Sequence, residues 1–364
     1  MLVASGIVIF WVLLIALIIF SWDRGRGVTN TSQLSCSVVV PYRNEAANLP
    51  ALVRAIQGQK LERFEVIFVN DHSTDNSEKV LLKTLKGTDF SYRLLSLTEA
   101  EGKKAALTLG IVKASYDLII TTDADCQMES RWLESMLSCF ADDQVNLATG
   151  PVCLSGQQMI QRFQRLEMLA LMGATAATIK LGKPTMANGA NLGFRKAVFK
   201  ELNGYEGIDA IPSGDDELFM QKVQRKFPGS IRFNKDVKAK VTTMAETSLH
   251  EMITQKRRWA GKWKVNKRWS TVMLALFVFA VNLAQLVLAA DVIANTFNAW
   301  LSLLSLLLKF MAELFLILQV RFDLRERIRL SDFMFSFIFY PFYALFIGLA
   351  ANFGSYKWKG RKYS

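Results

Sequence analysis

Two aspartates separated by one residue, Asp123 and Asp125 in the segment TTDADC, are the first groups in this chain that point to chemistry. In an extended segment, residues two apart send their side chains to the same side. Two hard carboxylate ligands with few other protein donors suit Mg2+ or Mn2+ held jointly with phosphate oxygens. A second acidic group, Asp215 and Asp216 in SGDDELF, brings adjacent carboxylates whose repulsion raises one of them toward a useful proton affinity. Such a group can take a proton from an attacking hydroxyl within hydrogen-bond reach. Acids also satisfy the dipole at a helix N-terminus, and both roles can hold at once. Gln255, Arg258 and Trp259 fall on adjacent positions of one helical turn, where an arginine offers a bidentate grip on phosphate.

Other chemistries lack their residues. No GxGxxG follows the first expected strand, and no Gly-Lys pair is followed by Ser or Thr. The four cysteines (Cys36, Cys126, Cys139, Cys153) form no CxxC pair, and there are only two histidines, which argues against a zinc ribbon, a disulfide scaffold or an HExxH protease.

The elements that must position these groups are legible as alternating patterns. Buried strands are expected at Cys36 to Val40 (ending at Pro41), Glu65 to Val69, Tyr92 to Leu97 and Leu118 to Thr122. Helices are expected at Leu49 to Gln59, capped by Asn48, at Asp75 to Lys86, capped by Asp75, and at Gly102 to Ala114. Strands alternating with helices imply an α/β fold with a doubly wound, mostly parallel sheet. Ligands of such sheets bind beyond the carboxyl ends of the strands, where PYRNE, NDHSTD and DAD stand.

The ordered set PYRNE, NDHSTDNS, GKKAALTLG, TTDADC, GANLGFRK, SGDDELF and QKRRW resembles the family-2 glycosyltransferases over about residues 36 to 263. It looks most like the membrane-integrated branch with hyaluronan, cellulose and poly-N-acetylglucosamine synthases and ceramide glucosyltransferases. The resemblance implies a Rossmann-like, GT-A type nucleotide-sugar-binding domain. It places Asp71 on the uracil and ribose of a UDP-sugar, and Tyr42, Arg43 and Glu45 around the base. It sets Lys103 near the nucleotide, with Lys104 solvated, and Asp123 on nucleotide and donor sugar. Asp125 ligates the metal, Asp216 is the base (Asp215 under a one-residue shift), and Arg258 meets the pyrophosphate. Gln255, Trp259 and Asn191 face the acceptor, beside Gly189 and Gly193. His72 stands where the family usually has Gly.

The composition fits a membrane-bound chain. Of 364 residues, 51% are hydrophobic and the net charge is +12, too apolar for a disordered chain. Residues 1–22 read as an uncleaved transmembrane anchor, with Arg24 and Arg26 after it placing the N-terminus outside. Residues 33–248 read as a cytosolic catalytic domain, with a second interfacial helix at about Met159 to Lys180. Residues 249–269 read as an interfacial amphipathic helix whose Lys262, Lys264, Lys267 and Arg268 meet anionic lipid.

Residues 271–353 read as two spans, turning near Asp291, Asn295 and Asn298, then an arginine-rich cytoplasmic loop at Arg321 to Asp332. A last apolar run follows, either a span or a hairpin broken at Pro341, and then a basic tail at 354–364. If that run spans, the tail's charges fall on the wrong side. Lys309 and Glu313, four apart in a span, suit a mutually paired couple.

The expected function is an inverting, metal-dependent transfer of a hexosyl or N-acetylhexosaminyl group from a nucleotide-sugar to a membrane-associated acceptor, foremost a lipid. The enzyme is expected in a cytoplasmic membrane, such as the bacterial inner membrane, with its catalytic domain in the cytosol. A processive polysaccharide synthase is the alternative, and an inactive sugar-nucleotide-binding scaffold the alternative of another class. Nucleic acid is not an expected partner. The charge is concentrated in membrane flanks.

Overall fold

The computed structural model describes residues 1–22, 34–209, 211, 214–260, 269–295, 298–350, 356–358 and 361–363. Contacts divide the chain into a helical unit (Met1–Asp23, Gly156–Ala177, Ala245–Ser364) and a sheet unit (Arg24–Ser155, Thr178–Met244). The chain opens with α1 (Leu2–Ser21) and then enters the sheet unit.

In that unit β1 (Cys36–Tyr42), α2 (Leu49–Gln57), β2 (Phe64–Asn70), α3 (Ser77–Leu85), β3 (Ser91–Ser96), α4 (Lys103–Lys113) and β4 (Leu118–Thr121) alternate as expected. There follow β5 (Gln127–Met128), α5 (Trp132–Ser138), β6 (Leu147–Thr149) and β7 (Val152–Ser155). Helix α6 (Met159–Lys180) is the excursion into the helical unit, and the chain returns through β8 (Leu192–Arg195), α7 (Lys196–Glu201), α8 (Glu217–Lys226), β9 (Ile231–Phe233) and β10 (Val241–Met244). The expected block 33–248 is therefore interrupted: residues 156–177 group with the terminal helices.

Seven strands form one sheet in the order β3-β2-β1-β4-β8-β6-β9. Only β8 runs antiparallel to its neighbours β4 and β6. A second sheet has the order β5-β10-β7. The main sheet is covered on both faces, as strand alternation requires. Val38, Val40 and Tyr42 of β1 join one core with Leu52, Trp132 and Phe140. Val39 joins the other, with Ile111, Phe194 and Phe219. Burying a side chain such as Phe68 or Phe219 contributes about 2 kcal/mol relative to exposure.

Strand β1 runs through Pro41 rather than ending before it. A proline lacks an N–H to give a ladder. Thr122 N–H donates to Val39 O, so residues 39 and 41 face the β4 side. The β4 register stops at Val39↔Thr121, and Pro41 therefore withholds no bond. Asn48 does not cap α2 with its side chain as expected; its amide donates to Glu45 Oε2 at 2.6 Å instead.

The helical unit contains α1, α6 up to residue 177, α9 (Leu249–Ala260), α10 (Trp269–Ile293), α11 (Ala299–Asp323) and α12 (Leu330–Ala350), then a hairpin of β11 (Tyr356–Trp358) and β12 (Arg361–Tyr363). Helices α1, α10, α11 and α12 are each long and apolar enough to cross a membrane. The turn expected near Asn295 and Asn298 lies between α10 and α11, with Asn295 at φ 48° and Asp291 accepting from Ser302 Oγ at 2.6 Å across it. The expected break at Pro341 does not occur, since α12 is one helix through it. Lys309 and Glu313 pair as expected, at 2.6 Å, and Trp11 Nε1 donates to the same carboxylate at 2.8 Å.

Candidate active site

The carboxyl ends of β1, β2 and β4 carry the polar segments that the parallel order predicts. Asp71, just past β2, is buried; its Oδ1 accepts from Gly102 N–H at 3.0 Å, tying this strand end to the start of α4. Arg43 donates to the Asp71 carbonyl at 2.9 Å. His72 takes a left-handed φ of 53°, which explains why glycine suits that turn. Asp75 bridges two strand-end loops. It accepts from Ser77 N–H at 3.0 Å and from Ala46 N–H at 3.2 Å. Burial opposes its ionised form, but these hydrogen bonds prevail and hold its carboxyl below the ordinary aspartate value.

Lys103, the first residue of α4, is the centre of the site. Its ammonium lies 2.7 Å from Asp123 Oδ1 and 3.2 Å from Asp215 Oδ2. Burial opposes its charge, but Asp123, Asp215 and then Asp216 outweigh that cost and hold it well above the ordinary lysine value. One cation thus gathers carboxylates from the DAD and GDD segments, which are about ninety residues apart in sequence.

Asp216 is the N-cap of α8. Its Oδ1 accepts from Glu217 N–H at 2.6 Å and its Oδ2 from Gly189 N–H at 3.0 Å. Gly189 is constrained by space, because a Cβ there would lie 2.7 Å from Asp215 Oδ2 and 3.2 Å from Lys103 Nζ. Asp125 is exposed and accepts from Thr243 Oγ1 of β10 at 3.1 Å. Among the described residues no group of three His, Cys, Asp or Glu could hold an ion. Asp123 and Asp125 together with diphosphate oxygens and water still fit a hard divalent cation, the usual arrangement for Mg2+.

Three expectations need correction. Asn191 cannot face an acceptor. It is fully buried; its Oδ1 accepts from Trp132 Nε1 at 3.0 Å, and its Nδ2 donates to the Pro151 and Ala239 carbonyls at 2.9 and 2.7 Å. The segment NGAN reaches the site through the Gly189 backbone instead. Tyr42 does not line an open base pocket, because alternation puts its ring in the core with Val38 and Val40. Burial, with Glu78 and Asp75 nearby, pushes its phenol up to about 12. Lys104 is not solvated. It donates to the carbonyls of Ile208 and Ile211.

Glu45 is buried beside Asn48, with its backbone N–H on Ser77 Oγ at 2.7 Å. Sequence reasoning missed Thr243 and the carbonyl contacts of Lys104. Neither carries a local signal, since each partner is more than a hundred residues away.

Gln255, Arg258 and Trp259 lie on α9, in the helical unit. Gln255 Nε2 donates to Glu246 Oε1 at 2.7 Å, and the Lys256 ammonium stands 4.3 Å from the Trp259 ring centroid. Lys262, Lys264, Lys267 and Arg268 lie outside the described residues.

Known proteins resemble this chain in sequence and in fold. A stretch of 171 residues is 28% identical to the poly-beta-1,6-N-acetyl-D-glucosamine synthase of Staphylococcus aureus (strain COL), covering 46% of this chain and 41% of that one. The chain thus spans about two fifths of the length of that relative. A stretch of 94 residues is 38% identical to an undecaprenyl-phosphate 4-deoxy-4-formamido-L-arabinose transferase of Yersinia pestis (strain Pestoides F), covering 25% of this chain and 29% of that one. Among solved structures, a mannosyltransferase of Pyrobaculum calidifontis in complex with GDP-Man and Mn2+ shares the fold. Its TM-score is 0.61 at 18% identity, over 93% of this chain and 99% of that one. Residues 37–202, the stretch that contains Asp71, Lys103 and Asp123, match the model of Glycosyl transferase family 2.

Proposed function

We propose that this chain transfers a sugar from a nucleotide-sugar, UDP-linked by its NDHSTD segment, to a lipid acceptor at a membrane, with inversion at the anomeric carbon. The observation that carries this reading is the Lys103 centre, which joins the DAD carboxylates to the GDD carboxylates at one strand end. Asp216 takes the proton of the acceptor hydroxyl as its oxygen attacks the anomeric carbon. The bond from that carbon to the diphosphate oxygen breaks, and the nucleoside diphosphate leaves. Asp215 and Lys103 set the field around this proton transfer, and Gly189 N–H fixes the base by its hydrogen bond to Asp216. Asp125 and Asp123 would hold a Mg2+ or Mn2+, which would supply charge neutralisation to the leaving diphosphate. Arg258 serves the diphosphate, and Gln255 and Trp259 the acceptor.

Four apolar helices accompany the domain, which favours an acceptor that resides in the bilayer. The second reading, a polysaccharide synthase, is supported by the staphylococcal relative. Membranes containing the protein and a radiolabelled donor separate the two: one chloroform-soluble product is expected, and a non-extractable polymer refutes single transfer. Chelation should abolish turnover, and Mg2+ or Mn2+ should restore it; turnover unchanged by chelation would refute the metal site.

A further inference from the structure

The direction of α12 settles where the basic tail must go. Helices α10 and α11 are antiparallel, joined tightly at the end where Asp291 meets Ser302. The last residue of α11, Asp323, therefore lies level with the start of α10, and it accepts from Trp22 Nε1 at the end of α1. A helix that set out from this end and crossed the bilayer would run in the same direction as α10. Its early residues would meet the start of α10, and its late residues the far end.

The contacts run in the opposite order. Gln285 of α10 donates to the Phe337 carbonyl at 2.7 Å, whereas Gly348, eleven residues later on α12, faces Phe279, six residues earlier on α10. The axial steps also disagree: about 16 Å along α12 against about 9 Å along α10, so α12 crosses α10 obliquely as it travels back. Beyond α12, the backbone of β11 lies alongside α9, the helix that precedes α10.

Helix α6 gives an independent measure. Arg162 pairs with Asp332 at the start of α12 (3.2 Å), and Arg165 with Glu326 just before it (3.4 Å). Glu167 accepts from Tyr343 at 3.5 Å, past the middle of α12, and from Lys256 of α9 at 2.5 Å. The Phe163 ring lies tilted against Tyr340 and edge-to-face with Tyr343. A helix crossing a hydrocarbon core of about 30 Å would meet a flanking layer at one end only. Here α12 is held near its start, past its middle and beyond its end by α6 and α9.

We propose that α12 does not cross the membrane: it passes Gln285 obliquely and runs back toward the side where α10 begins, leaving the tail on that side. Its outer stripe, Met334, Ile338, Phe342, Phe346 and Leu349, is exposed and faces lipid. The partner proposed for the tail is the anionic headgroup layer, chosen from the basic composition of its sequence alone. The chain then crosses three times, and its basic tail no longer violates the charge rule for cytoplasmic segments. This inference stands whether or not the chain transfers a sugar.

The test is side-specific proteolysis of the full-length protein in sealed membrane vesicles of both orientations, with a protease-cleavable tag at either terminus. The expected result is cleavage of the C-terminal tag in the vesicles whose sheet unit is also cut, and of the N-terminal tag in the others. Cleavage of the C-terminal tag only on the side of the N-terminal tag would overturn the proposal, because α12 would then cross.

Discussion

The two ends of the main sheet each hold an ionic cluster, and they use charge differently. At the amino end, Glu65 is 3% exposed and accepts from Ser37 Oγ, from Ser115 N–H and from Arg93, at 2.7, 2.5 and 3.3 Å. That carboxylate is fully occupied by protein donors. At the carboxyl end, Lys103 serves two carboxylates at once, and Asp123 and Lys103 keep 35% and 22% of their side chains exposed. Asp125, beside them, is exposed as well. The first cluster closes on itself and fastens strands. The second has carboxylate oxygens to spare, open to solvent. In this fold that surplus, more than burial or charge alone, separates a site from a fastening.

The contrast can be broken by substitution. The largest effect is expected from Asp216→Asn, which retains a good helix cap and removes the base. Turnover should fall about 10²- to 10⁴-fold, with only a small drop in melting temperature because the amide keeps one of the two acceptors that serve Glu217 and Gly189. If Asp215→Asn shows that loss and Asp216→Asn does not, the two carboxylates exchange roles. Gly189→Ala comes next. Its methyl would press on Asp215 and Lys103, and a displacement of about 1 Å there costs on the order of 10²-fold in rate. A Gly189→Ala enzyme of normal activity would show that the site tolerates looser geometry.

At the other end of the sheet, Glu65→Ala should leave the rate of transfer per folded molecule intact. Denaturant unfolding should show a loss of up to about 3 kcal/mol, at the low end for a broken buried pair because Arg93 is 45% exposed. A collapse of turnover at unchanged stability would erase the distinction between the two ends.

The smallest effect concerns acid. The Asp75 carboxyl is held below its ordinary value of 3.8, so its contribution to stability is complete above 3.8 and is lost as pH falls below it. Unfolding followed between pH 5 and 2 should show a slightly shallower decline for Asp75→Ala than for wild type. Parallel curves would refute the assignment.

What could be read from the sequence follows the same division. The strands and the DAD spacing were legible because buried apolar runs and i,i+2 geometry are local properties. Cys36–Tyr42 was nevertheless cut short at Pro41, because no local pattern says on which side the neighbouring strand has already ended. Asn191 was misread for a related reason. An amide that satisfies buried carbonyls and one that greets a sugar have the same one-letter code, and only the positions of Trp132, Pro151 and Ala239 distinguish them. Tyr42 could have been placed by strand alternation alone. Thr243 could not, since it lies 118 residues from Asp125 and on another sheet. The course of α12 was undecidable from hydropathy, which measures length and composition and is blind to direction.

The excursion of α6 also bears on how this chain can be cut. Because residues 156–177 leave the sheet unit between β7 and β8 and then return, trimming both termini does not yield a water-soluble domain. A fragment from 34 to 244 would still carry Phe163, Leu166, Met168, Leu169 and Met172, all buried in the intact protein, and Phe163 would lose Tyr340 and Tyr343. Such a fragment is expected to associate with detergent or with itself. Evolution faces the same constraint, since a tether threaded through the middle of the sheet's own sequence cannot be lost by a single truncation.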